Sequence, residues 1–231
     1  METLQLKDKN VVVLGLGRSG MAAASLLRRE GARVVVRDEA NGALLEERAG
    51  RLRQLGVEVE LGCRFDFSRR FDLAVLSPGI APSRPIVRVL GRNTPVLSEL
   101  ELAYRYCLCP IIGVTGTNGK TTTTELITAM INECGGRAVA AGNIGLALSE
   151  VAADSAGLDA LVVEASSFQL ERIEQFRPHV AVLLNITPDH LDRYDSMEEY
   201  ARAKARLFSN QTSEDYAVVS AEALAILRRL G

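Results

Sequence analysis

The sequence predicts an α/β fold built on two parallel sheets in two domains, and three observations carry the prediction. Apolar runs of strand length alternate with helix-periodic segments, the signature of β-α-β units. Residues 10–14 run straight into Gly15-Leu16-Gly17-Arg18-Ser19-Gly20 and then a helix-periodic stretch. Residues 111–115 do the same through Gly116-Thr117-Asn118-Gly119-Lys120-Thr121. Two strand–glycine turn–helix junctions, each opening its own series of strands and helices, call for two sheets rather than one. The expected order is a Rossmann-like parallel-sheet domain over 1–94 and a P-loop-type α/β domain over 95–231.

Composition narrows the function classes. The chain is 47% hydrophobic and 24% charged, with a formal net charge of −2. That balance gives no basic footprint, so neither nucleic acid nor an anionic membrane is the expected main partner, and small-molecule chemistry is favoured. A monomer is expected, although neither composition nor charge bears on that. No stretch approaches the roughly 18 apolar residues of a membrane span, and the first residues lack a secretory apolar core, so a cytoplasmic location is expected. Cys63, Cys107, Cys109 and Cys134 lack zinc-ribbon or C-x-x-C spacing and read as reduced and structural.

In the first domain, the buried strand at 10–14 enters G-x-G-x-x-G, a helix over 21–29 follows, and a second strand at 33–37 ends on Asp38. An acid at that distance past the last glycine is where a dinucleotide fold places its ribose ligand. The glycines require only a backbone that can approach a pyrophosphate, so NAD and a UDP-sugar both stay open. A helix over 46–55 and a strand at 57–61 come next. The strand at 71–76 then ends in Ser77-Pro78-Gly79-Ile80, which reads equally as a ligand-facing sheet edge or a plain exit turn. Pro82, Pro85 and the 91–95 cluster punctuate the chain, and a boundary is placed at 92–98, where Ser98 caps a new helix.

The second junction departs from the strict G-x-x-x-x-G-K-[ST] loop, because Val114 stands where that pattern has glycine. The shorter form still supplies what a triphosphate needs. Backbone N–H groups from Gly116, Thr117, Asn118 and Gly119 converge on phosphate, Lys120 offsets its charge, the Thr121 hydroxyl is within reach of Mg²⁺, and Thr122 completes the ATP-binding run at the helix start. The periodic Leu126, Ile127, Met130 and Ile131 give that helix its buried face. A strand at 137–141 ends in Gly142-Asn143-Ile144-Gly145. A strand at 158–164 ends on Glu164, read as a metal ligand beside the phosphates or as a helix cap. The strand at 180–185 leads to Asp189-His190-Leu191-Asp192, where His190 is either a structural histidine or a ligand. In the helix over 196–210, Lys204 falls on the apolar stripe formed by Met197, Tyr200, Ala201, Leu207 and Phe208. A lysine there either snorkels to solvent or sheds its proton. A neutral amine adds CO₂ to give a carbamate, an oxygen ligand suited to Mg²⁺. A strand at 216–220 and a helix over 221–230 complete the pattern.

The strings at 116–121, 142–145, Glu164-Ala-Ser-Ser-Phe-Gln169-Leu170, Asn185-Ile-Thr-Pro-Asp-His190-Leu-Asp-Arg-Tyr194 and Ala203-Lys204 together resemble the Mur ligase family, in its D-glutamate-adding branch. The resemblance runs from about residue 8 to the end. It implies peptidoglycan synthesis in the cytoplasm: ATP phosphorylates the carboxylate of UDP-N-acetylmuramoyl-L-alanine (UDP-MurNAc-L-Ala), and the amine of D-glutamate attacks the acyl phosphate. Arg18, Ser19, Asp38 and Gly79 become UDP contacts, and Asn143 and Gln169 face the muramoyl side. Lys120 neutralises phosphate charge. Two Mg²⁺ are implied, one on Thr121 and Glu164, the other held or oriented by Glu164, His190 and a carbamylated Lys204. The resemblance also implies a third domain that holds D-glutamate, so a fragment truncated within the central domain, inactive as a ligase alone, is expected. An NAD- or UDP-binding module without ligase activity is the alternative.

Overall fold

A computed structural model of the chain describes residues 4–64, 69–80 and 84–230, so the expected break at Pro82 lies outside the described residues. The chain resolves into two compact units, one of residues 1–106 with 148–153, the other of residues 107–147 with 154–231.

The first unit holds β1 (Asn10–Leu14), α1 (Arg18–Arg29), β2 (Arg33–Asp38), α2 (Ala43–Gln54), β3 (Glu58–Leu61), β4 (Leu73–Leu76), α3 (Pro85–Leu90), β5 (Val96–Ser98) and α4 (Glu99–Tyr104). Its strands pair in parallel in the order β3-β2-β1-β4-β5. Val11–Leu14 are all buried, as a strand covered on both faces requires. Val12, Leu14, Val35, Ala74 and Leu76 pack with Ile86, Val87 and Leu90 of α3 into one apolar cluster. Strand order reverses at β1, so the carboxyl ends of β1 and β4, where Gly15 and Ser77 stand, flank the crevice in which doubly wound sheets take ligands. Pro85, read as a break, instead opens α3, because proline lacks an N–H that the first helical position does not need. The division expected at 94/95 falls just before β5, which pairs with β4 and carries the first unit on to Tyr106.

The second unit holds β6 (Ile111–Thr115), α5 (Lys120–Glu133), β7 (Ala138–Gly142), β8 (Ala160–Glu164), α7 (Ser167–Leu170), β9 (Val180–Leu183), α8 (Met197–Ala205), β10 (Tyr216–Val219) and α9 (Ala221–Leu230). Its sheet is also parallel, in the order β10-β9-β6-β8-β7, with β6 central. Ile127 and Ile131 of α5 pack on Val114, Val162 and Val182, whereas Leu126 and Met130 of the expected stripe are exposed. The helix expected over 196–210 is α-helical only to Ala205 and tightens into a 3₁₀ turn at Arg206–Phe208. A further helix, α6 (Leu148–Val151), lies in the second half of the sequence but belongs to the first unit. There the backbone N–H of Ser149 donates to Oε1 of Glu99 at 2.7 Å, and Glu99 is fully buried at the start of α4. Burial pushes the Glu99 carboxyl pKa up, and the bonds from Ser149 oppose that shift. No described helix is long and apolar enough to cross a membrane.

Candidate functional site

In the second unit, β6 brings the glycine loop to the carboxyl edge of the sheet. Gly116 has φ +158°, and a Cβ there would stand 3.0 Å from Leu184 Cβ and 3.4 Å from the Asn185 nitrogen. Gly119 takes φ +82° as the N-cap of α5, a left-handed turn that glycine adopts without strain. The first intrahelical bond runs from Thr123 N to Gly119 O at 3.0 Å. The N–H groups of Lys120, Thr121 and Thr122 therefore point out of the helix end, where the macrodipole favours an anion. Lys120 Nζ donates to the Thr117 carbonyl at 2.8 Å, folded over its own loop.

Glu164 ends β8 with 1% of its surface exposed, and both carboxylate oxygens are engaged. Thr121 Oγ1 donates to Oε2 at 2.9 Å, and Asn143 Nδ2 donates to Oε1 at 2.8 Å. The Gly142 turn makes this possible: its φ is +108°, and a Cβ would lie 2.3 Å from the Glu164 carbonyl oxygen. Two residues later Ser166 and Gln169 form a reciprocal capping box that starts α7. Gln169 Oε1 accepts from Ser166 N and Oγ at 3.0 and 3.1 Å, while its Nε2 is buried without a hydrogen-bond partner among the described residues.

Lys204 is 2% exposed, so it does not snorkel. Its Nζ donates to the Gly116 carbonyl at 2.8 Å and lies 4.5 Å from the centre of the Tyr200 ring. Burial, and then the charge of Lys120, lower the Lys204 pKa to about 7, against a raising influence from Asp189. The Tyr200 hydroxyl meets Thr117 Oγ1 at 3.2 Å. His190 has a left-handed φ of +53°, packs its ring 4.8 Å from Phe168 and 6.3 Å from Tyr200, and sets Nε2 3.6 Å from Asp189 Oδ2. The loop, Asn143, Glu164 and Lys204 are thus tied by direct hydrogen bonds, and His190 joins them through the Tyr200 ring. No group of three or more His, Cys, Asp or Glu side chains among the described residues could hold a metal by itself. All four cysteines are free thiols.

Sequence reasoning passed over Asn185, just past β9. Its Oδ1 accepts from Thr117 N at 3.1 Å and Asn118 N at 2.9 Å, and its Nδ2 donates to the Asn118 carbonyl at 3.0 Å. A polar residue at a strand end beside the glycine loop was the available signal.

In the first unit the glycine turn is held from several sides. Gly15 takes φ +88°, and a Cβ on Gly20 would stand 1.9 Å from the Gly15 carbonyl oxygen. Asp38 accepts Leu16 N on Oδ2 at 2.7 Å and Ala40 N on Oδ1 at 2.9 Å. Ser77 Oγ donates to Gly15 O at 2.9 Å and Arg48 Nη1 donates to Leu16 O at 3.0 Å; nothing in the local sequence marks Arg48. Arg18 opens α1 on the solvent side with Ser19 beside it, and Gly79 is exposed, with open space where a Cβ would lie. The residues expected to meet UDP thus stand at the carboxyl edge of the sheet.

Residues 9–97 match the model of the Mur ligase MurD-like N-terminal domain, and residues 114–229 match the Mur ligase middle domain. The UDP-N-acetylmuramoylalanine--D-glutamate ligase of Geotalea uraniireducens is 46% identical over 220 residues, which cover 94% of this chain and 48% of that protein. The protein of the same name from Geobacillus sp. is 46% identical over 224 residues, 96% of this chain and 49% of that one. The chain spans about half the length of the curated relatives it matches. Among solved structures, the UDP-N-acetylmuramate:L-alanyl-gamma-D-glutamyl-meso-diaminopimelate ligase from Neisseria meningitides superposes with a TM-score of 0.64 at 22% identity, over 96% of this chain and 75% of that one, a likeness of fold. With two matched domains in order, and with the glycine loop, Glu164 and Lys204 gathered at one sheet edge, the chain belongs to the Mur ligase family.

Proposed function

We propose that this chain carries the UDP-substrate and ATP sites of a ligase that joins D-glutamate to UDP-MurNAc-L-Ala in cytoplasmic peptidoglycan synthesis. The observation that carries the proposal is the buried Glu164 carboxylate spanning Thr121 of the phosphate loop and Asn143 of the following turn. It supports the same edge serving nucleotide and substrate. Carboxylate activation as an acyl phosphate is the chemistry ATP supplies, with Mg²⁺ offsetting the charge.

The residues present fit both groups. The open N–H groups at the start of α5 suit phosphate oxygens, and Lys120, now on the Thr117 carbonyl, is placed to turn to them. Thr121 and Glu164 offer Mg²⁺ a hydroxyl and a carboxylate. The Lys204 pKa, lowered to about 7, leaves a share of the amine neutral near neutral pH; that neutral form can accept CO₂, and as a carbamate it and His190 would serve a second Mg²⁺. Gln169 Nε2, without a partner among the described residues, is a buried donor that an acceptor on the muramoyl moiety would satisfy. In the first unit Asp38 keeps Leu16 N–H turned inward, shaping the turn against which Arg18, Ser19 and Gly79 would meet the diphosphate.

Calorimetric titration of the chain with UDP-MurNAc-L-Ala, Mg·ATP and NADH tests this. Saturable binding of the first two is expected, with Mg·ATP affinity falling at least tenfold in Thr121→Ala and Glu164→Gln. Saturable NADH binding with no response to the UDP compound would replace the proposal with that of a dinucleotide-binding module.

A further inference from the structure

Thr117 and Asn118 belong to the loop that the sequence offers whole to a nucleotide, yet their amide hydrogens are already bonded within the protein. Both N–H groups end on one atom, Asn185 Oδ1, at 3.1 and 2.9 Å, and Asn185 Nδ2 returns a bond to the Asn118 carbonyl at 3.0 Å. Thr117 N also reaches the Asn185 carbonyl at 3.0 Å. The Thr117 hydroxyl is taken by Thr187, whose N–H donates to it at 3.0 Å, and by Tyr200 at 3.2 Å. The contact follows from topology: β6 and β9 are parallel neighbours with Thr115 opposite Leu183, so the residues just beyond both strands leave the sheet side by side.

We infer that Asn185 is a positioning residue that divides the phosphate loop in two. Its side chain satisfies the backbone of Thr117 and Asn118 and fixes them as a wall, so that phosphate binding falls to Gly119 and the free N–H groups of Lys120, Thr121 and Thr122 at the start of α5. A strict P-loop offers amides along the whole turn. Here a side chain from just past the adjacent strand occupies the Thr117 and Asn118 pair. The inference rests on the nucleotide reading of this loop for its effect on ligand, but not for its effect on the loop.

Amide hydrogen exchange and Mg·ATP titration of the intact chain separate the two. In the unaltered chain without nucleotide, the Asn118 amide is expected to be protected. In Asn185→Ala it should exchange at least tenfold faster, with β6 amides unchanged, and Mg·ATP affinity should fall about tenfold. Asn185→Asp keeps an acceptor oxygen and should retain Asn118 protection, which guards against loss of fold as the cause. Unchanged Asn118 exchange in Asn185→Ala overturns the inference, as does an Mg·ATP affinity within twofold of the unaltered chain. If the unaltered chain binds no Mg·ATP, the nucleotide reading fails, and exchange at Asn118 alone decides the role of Asn185.

Discussion

Lys204 is a buried amine held by one carbonyl and the face of one ring, and its protonation is linked to stability. Its pKa is lowered in the fold to about 7 from an ordinary 10.5, so the unfolded chain binds more protons between these values. Stability therefore rises with pH across that window, and the cost of the buried charge is fully present below about pH 7. Lys204→Met removes the group, so the melting temperature of the unaltered chain should gain on that of the variant between pH 7 and 10; parallel curves would refute the linkage. Asp38 presents the opposite case, a carboxylate used up by backbone donors. Asp38→Ala strands Leu16 N–H, on a residue with no exposed surface, and should cost about 1–3 kcal/mol by urea denaturation while leaving Mg·ATP affinity unchanged. Lys204 was conspicuous in the sequence because a helical period exposes a polar residue on an apolar stripe. Asn185 and Arg48 were not, since each acts on a loop 67 and 32 residues away respectively, through a strand order that periodicity does not encode.

At the scale of elements, the two glycine turns were readable because their demands are local: a left-handed φ, a close backbone approach, an open helix end. The short helices were harder. α7 spans Ser167–Leu170, too few residues for a period, although Ser166 and Gln169 write the S-x-x-Q capping box that announces it. Ser166→Ala should destabilise the second unit by about 1 kcal/mol and also free the Gln169 amide, weakening UDP-MurNAc-L-Ala affinity. Gly142→Ala is expected to be harsher, at least about 3 kcal/mol, because the added carbon meets the Glu164 carbonyl in a conformation that disfavours side chains. A loss below 1 kcal/mol, measured by urea unfolding, would mean that the Asn143 turn can shift aside.

At the scale of the molecule, each unit has its own parallel sheet, its own core and its own glycine turn. Ligands should therefore leave separate signatures in hydrogen exchange. At about a hundred times its Kd, a ligand stabilises the unit that binds it by about 2.7 kcal/mol. The UDP end of UDP-MurNAc-L-Ala is expected to slow amides of β1 and β2, and Mg·ATP those of β6 and β8; the reverse pattern would exchange the roles given to the two turns. The two-sheet architecture was legible from repeated strand–turn–helix junctions, but the membership of each unit was not. The short stretch at 148–153 carries no composition that marks it for the first unit; only its place beside α4 does.

That stretch makes the first unit one body in space and two segments in the gene. A hybrid of two relatives joined anywhere between residues 107 and 147 inherits Glu99 from one parent and the residue at 149 from the other. Recombination at what looks like a domain boundary thus tests whether a buried acid finds its amide, and parents that differ around α6 should yield less stable progeny than parents that agree there.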